Sequence, residues 1–191
     1  MSRQTWSETL MAMEQSGTQL SASTTPTSLL HSSGKFTLPP NFFSIGKAIR
    51  ITFAGRISNL VTTPGTLTLD IRMGPTSNIV VYNGDAMQLS STVHTDVPVM
   101  GDIMMTCRAI GGGTSANLLS QGRITSQALS LTAVADSTTT PATLLMPNTN
   151  PAVGTGFDST VAMVVDMFGT FSVNNAANKV QVHQFWLESL N

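Results

Sequence analysis

The feature that most constrains this chain is a period of two. Ile49, Ile51, Phe53, Gly55 and Ile57 are interleaved with Arg50, Thr52, Ala54 and Arg56. Successive side chains of an extended strand point to opposite faces, so such a run has one wet face and one dry face. The pattern recurs as Leu67, Leu69, Ile71 and Met73 against Thr66, Thr68, Asp70 and Arg72. It returns as Ile103, Met105, Cys107 and Ala109 against Asp102, Met104, Thr106 and Arg108, ahead of the glycine loop 111–113 and a polar strand near 118–128. Val165, Met167, Gly169, Phe171 and Val173 make another apolar face, and KVQVHQFWLESL follows the turn NNAANK.

Short candidates at 35–38 and 79–82 bring the strands to eight, with no helical pattern between them. Eight short strands joined by Gly/Pro/Asn-rich turns predict an all-β fold, an antiparallel β-sandwich of jelly-roll type, with the up-and-down barrel as rival. The runs around Ile51 and Leu69, joined by SNLVTTPG, are expected to pair with each other. Asp70 and Arg72 would then meet Arg50 or Arg56 across the pair.

The first 33 residues read differently. In TWSETLMAM, Thr5 and Glu8 have the spacing of a capping box, and Trp6, Leu10 and Met13 form one apolar stripe, which predicts a short N-terminal helix. A helix of that length needs a surface to lie on. The segment that follows has turn formers and little periodicity, as an extended arm would. The expected organisation is a helix and arm over 1–33 and a sandwich over 34–191, the arm lying on the chain's own core or on a neighbouring subunit. The Thr- and Pro-rich stretch 128–161 is expected to run over the surface.

Composition narrows the function classes. A chain of 191 residues suits one domain. Only 10% of residues are charged, with a formal net charge of −1, so the 21 serines and 27 threonines supply much of the polar surface. No run of Lys or Arg is present to displace counterions from phosphates, and nucleic acid is not an expected partner. The single cysteine, Cys107, excludes an intrachain disulfide. Glu8 and Glu14 fall where a signal peptide would be apolar, and no apolar run approaches the roughly 20 residues that span a bilayer. A product made in the cytoplasm and not inserted in a membrane is expected.

Candidates for chemistry are few. Cys107 shares a strand face with Ile103 and Met105 and reads as a buried, inert thiol. His31, His94 and His183 lack metal-ligand spacing, and the pair His94 and Asp96 has no nucleophile motif beside it. The glycine-containing loop GTGFDST reads as a tight turn capped by Asp158. Asp166 interrupts an apolar strand and is expected on its solvent face, the alternative being burial in a subunit contact with a partner such as Lys179. No catalytic residue, metal ligand or cofactor is expected. Phe185 and Trp186 are adjacent in a strand, so one should fill the core while the other faces outward. Trp6, Leu10, Met13 and Trp186 are the candidate partner-binding residues.

The phrases LPPNFFSIGKAIRITFAGRIS, TTPGTLTLDIRMG, CRAIGGGTSANLLSQG, AVGTGFDST and HQFWLESLN together resemble small structural proteins of tailed bacteriophages, over about residues 34 to 191. In outline these are similar to jelly-roll capsid decoration, or cement, proteins. The resemblance implies a non-enzymatic virion protein on the capsid exterior, with the major capsid protein as partner and self-association as a homotrimer. A second reading is a tail or fibre module binding a host-surface glycan, with Tyr82 and the two tryptophans as the available aromatics. A third, a depolymerase, would need a convergent carboxylate pair such as Asp158 and Asp166.

Overall fold

A computed structural model describes residues 7–60, 62–131, 140–149 and 152–190. In chain order its strands are β1 (Ser7–Ala12), β2 (Leu20–Ser21), β3 (Thr27–Ser28), β4 (Phe36–Leu38), β5 (Ala48–Asn59), β6 (Thr66–Met73) and β7 (Ile79–Asn83). There follow β8 (Met87–Gln88), β9 (His94–Ala109), β10 (Asn117–Ser126), β11 (Ala142–Met146), β12 (Met163–Phe171) and β13 (Lys179–Leu190). All pairings between them are antiparallel.

The larger sheet has the order β1-β13-β5-β9-β10-β11, with β2 also on β13; the smaller has β3-β12-β6-β7, with β4 on β12 and β8 on β6. Two sheets packed face to face bury one face of each, which is what alternating strands require. The dry residues meet there: Ile49, Ile51, Phe53 and Ile57 of β5, Leu67, Leu69 and Ile71 of β6, and Phe171 and Phe185 are buried together. Gly101 sits opposite Phe53 in the β5–β9 ladder, where a Cβ would run into the Phe53 ring; the missing side chain makes room for the aromatic one.

The eight expected strands are all present, and β11 adds a strand inside the segment expected to be surface loop. Consecutive β9, β10 and β11 form a meander in one sheet, and the jelly-roll order is not what this pairing shows. The expected pair around Ile51 and Leu69 does not form. β5 lies in the larger sheet between β13 and β9, whereas β6 lies in the smaller sheet between β12 and β7. Alternation fixes which residues are dry; it does not say which sheet a strand joins. Arg50 accordingly pairs with Asp102 of β9, its Nε donating to Oδ1 at 3.1 Å, and Asp70 pairs with Arg72 two residues along its own strand.

The N-terminal helix is also corrected. Ser7–Ala12 is a strand on the outer edge of β13, with a bulge between Thr9 and Met11. The exposed edge of β13 offers a row of backbone partners to an extended segment, and that outweighs the weak preference of a two-turn helix. Thr5 and Trp6, on which the helix reading leaned, lie outside the described residues. Further along, Leu20, Leu29 and Leu30 are buried in the chain's own core.

Candidate functional site

The outer face of the larger sheet carries Trp186, which among the described partner candidates is the one that points away from the core; Trp6 lies outside the described residues. Phe185 is buried and Trp186 is half-buried on the opposite face, as adjacent strand residues must be. Trp186 pairs with Thr52, which faces Asp102, which faces Arg123, which faces Leu145. In neighbouring rows stand Ala54 beside Met100 and Arg50 beside Met104. Met100 is 57% exposed and Leu145 74%. Arg56, Arg108 and Arg123 are exposed in strand positions of the same face. The result is a broad sheet surface of Trp, Met, Arg, Ala and Thr.

Leu10 and Met13 are placed elsewhere. Both pack against the chain's own core, Met13 through a side chain lying against Gly34 and a backbone N–H that donates to the Phe185 carbonyl at 2.9 Å. Cys107 is buried on the Ile103 and Met105 side, and burial pushes its thiol up. The histidines stay apart in function: His31 binds Ser33, His94 binds Asn59 through Nδ1 at 3.1 Å, and His183 binds Ser16 at 2.8 Å. Asp96, considered with His94, instead accepts from the Ser58 hydroxyl and backbone-bonds back to it.

Of the two carboxylates weighed as a catalytic pair, each has its own structural task. Asp158 accepts from the Thr160 amide at 2.8 Å and hydroxyl at 2.6 Å, closing the expected turn, and these bonds with the Gly113 amide hold its carboxyl below the usual range. Asp166 is not on a solvent face. It is 1% exposed, with Lys35 Nζ 2.8 Å from Oδ2 and the Ser28 hydroxyl donating to Oδ1 at 3.0 Å. The reason is the flank of β12: β3 and β4 both lie along it, so residues of the 28–35 segment cover the carboxylate and supply its partners. The ion-pair partner is Lys35, not Lys179.

A polar cleft that no sequence spacing announces lies at the β7 edge of the smaller sheet. It comprises two adjoining hollows, of about 550 and 160 Å³, that share Asn83, Asp85, Val153 and Gly154. Asp70 of β6 lines the larger and Tyr82 of β7 the smaller. The β6–β7 ladder skips Val81, a bulge of the kind that re-aims neighbouring side chains. Gly154 brings the far wall close, since a Cβ there would strike the Val81 carbonyl oxygen.

Within the cleft, Asp70 is 8% exposed; its Oδ2 accepts from Arg72 at 3.1 Å while its Oδ1 has no partner. The nearby Gly84 amide is committed to the Leu69 carbonyl at 3.0 Å. Burial raises the Asp70 carboxyl, with Arg72 and the Gly84 backbone amide opposing. Tyr82 is 1% exposed and its hydroxyl is also unpartnered. Burial lifts its phenol well above the ordinary range, and the charges of Asp85 and Asp70 add to the shift. Arg72 is turned partly aside, its guanidinium stacking 4.4 Å over the Phe168 ring.

No family model and no curated protein matches the chain. Among solved structures it is similar to the CBM2 module of the evolved Dit of Lactobacillus casei BL23 phage J-1, at 8% identity and a TM-score of 0.38, covering 99% of this chain and 98% of that one. It is also similar to winged bean acidic lectin complexed with methyl-alpha-D-galactose, at 10% identity and a TM-score of 0.30, covering 98% and 100%. The sandwich architecture described above rests on the strand pairing itself.

Proposed function

We propose that this chain is a non-enzymatic virion structural protein, a capsid decoration or cement protein that binds the outside of a major capsid shell and stabilises it through subunit contacts. The observation that carries this reading is the outer face of the larger sheet, where Trp186, Met100, Met104 and Leu145 stand among Arg50, Arg56, Arg108 and Arg123. Aromatic residues, Met and Arg are the types enriched where proteins meet, and a half-buried Trp on a sheet face is a natural anchor. The near-neutral, hydroxyl-rich composition fits a chain whose partners are other protein surfaces met in many copies. The resemblance to tailed-bacteriophage structural proteins supplies the setting.

On this reading the chain self-associates, as a homotrimer, and the assembled particle carries it on its exterior. Light scattering of the purified protein, followed by co-sedimentation with assembled capsids of the virus that encodes it, tests both parts. A trimer that pellets with capsids is expected; a monomer that leaves capsids bare overturns the reading.

A further inference from the structure

We infer that the outer face of the larger sheet is built to meet an acidic protein surface and not a second copy of this chain, which rests on the capsid-binding reading above and names the chemistry of its partner. Charge is unevenly placed. Of the nine Lys and Arg in the chain, five, Arg50, Arg56, Arg108, Arg123 and Lys179, occupy outward strand positions of β5, β9, β10 and β13. Of the ten acidic residues, Asp102 and Glu188 stand among them, with Asp96 beside Ser58 at one end. Five cations against three carboxylates leave the face positive, in a chain whose formal charge is −1. The cations are also the groups left free. Asp102 is committed to Arg50, while among the described residues Arg56, Arg108, Arg123 and Lys179 are in no ion pair. Arg56 reaches the Asp96 backbone carbonyl, at 3.3 Å.

Register sets these cations around an apolar middle. The row of Ala54 and Met100 lies between the row of Arg56 and the row that holds Trp186 and Arg123. An open hollow of about 650 Å³ lies there, lined by Arg56, Pro98, Met100, His183 and Gln184, where a bulge at His183 interrupts the β13 ladder. A partner's Glu or Asp side chain suits it. The Arg56 guanidinium offers a fork of donors to the carboxylate, while Pro98 and Met100 cover its methylenes.

A second copy offers no such complement. Two of these faces in contact would set cation against cation, and like charge across an interface selects against that pairing. The carboxylates elsewhere are spent or scattered. Asp166 holds Lys35 and Asp70 holds Arg72, while Glu8, Glu14, Asp85 and Asp158 are spread over β1, the segment after it, the β7–β8 turn and the 158–160 turn. An acidic protein also suits the face better than nucleic acid does, because Asp102 and Glu188 would repel phosphates and the middle is apolar.

The test joins co-sedimentation with nucleic-acid-free capsids, at about 50 and about 500 mM NaCl, to sedimentation velocity and to retention on a carboxymethyl resin at neutral pH. Capsid binding should weaken at least tenfold at the higher salt, and as much in the double variant Arg56→Gln/Arg123→Gln at the lower salt. The resin should retain the parent although the chain is net negative, and should release the double variant earlier. Both arginines are exposed, so the variant should keep the parent's unfolding midpoint and its oligomeric state. Capsid binding that neither salt nor the variant weakens overturns the inference and leaves capsid decoration standing. So does a resin that fails to separate parent from variant, or a trimer that dissociates in the variant. Tighter binding to a DNA duplex than to capsids overturns the choice of partner. A protein that the resin retains but that leaves capsids bare overturns the proposed function, and this assignment of its partner with it.

Discussion

Lys35 Nζ lies 2.8 Å from Asp166 Oδ2, and Asp166 is almost wholly buried beneath the segment that carries Lys35. The Ser28 hydroxyl and the Met167 amide complete the carboxylate's coordination at 3.0 and 2.8 Å. One side chain of β12 thus fastens two separate stretches of the N-terminal region to the smaller sheet.

Removing the cation alone leaves a buried, uncompensated charge. Lys35→Met should destabilise the fold by about 2–4 kcal/mol, toward the lower end because the ammonium keeps some contact with water. Adding Asp166→Asn to Lys35→Met should recover part of that loss, since the charge goes with its partner. Urea unfolding of the single and double variants measures both effects, and equal stability of parent and Lys35→Met would contradict the buried pair.

Exposed apolar residues of the larger sheet can be changed at little cost to folding. Met100→Glu and Met104→Glu should alter stability by no more than about 0.5 kcal/mol. Each should weaken self-association or capsid binding at least tenfold if this face is the contact surface. Analytical ultracentrifugation and co-sedimentation of the same preparations compare the two outcomes directly.

Asp70 makes a signed contribution to the pH dependence of stability. Its folded carboxyl is raised by burial, so the folded chain holds that proton more tightly than the unfolded chain does. Its stabilising contribution is therefore complete below the unfolded pKa of about 4 and is lost as the pH rises through the folded value. Asp70→Asn should remove this downward component from a plot of urea midpoint against pH. Asp158 acts with the opposite sign: its lowered carboxyl favours the fold above the unfolded pKa, and the benefit disappears as the pH falls through the folded value. An unchanged slope in Asp70→Asn above pH 4 would refute the assignment.

Cys107 should be silent toward thiol reagents. It is buried, its thiol is pushed up by that burial, and the thiolate is the reactive form. Ellman's reagent should find no thiol in the folded protein and one per chain in denaturant.

Much of the sandwich was legible because a strand writes its burial into the sequence every second residue. Cys107 lies with Ile103 and Met105, and Phe185 and Trp186 divide between core and surface, as alternation requires. What alternation lacks is any statement of who pairs with whom. β5 and β6 look like neighbours along the chain yet belong to different sheets, and Ser7–Ala12 became a strand only because β13 had an open edge to offer. Asp166 looked wet because a carboxylate between valine and methionine usually is; its cover comes from residues more than 130 positions earlier. The cleft was hidden for the same reason. Asp70, Asn83 and Gly154 come to line one hollow only after β6, β7 and the 153–155 segment have met, and the local signal was no more than a carboxylate flanked by Leu69 and Ile71.

The central place of β13 has a consequence for biosynthesis. This twelve-residue strand pairs with β5 on one side and with β1 and β2 on the other, so β1 and β2 wait for a strand made more than 150 residues after them. While residues 179–190 are still inside the ribosome, β5, β9, β10 and β11 can pair, but β1 and β2 have no place on the larger sheet. Until then the β13-facing edge of β5 stays unpaired, and the emergence of β13, not the order of synthesis, sets the moment at which the sheet closes.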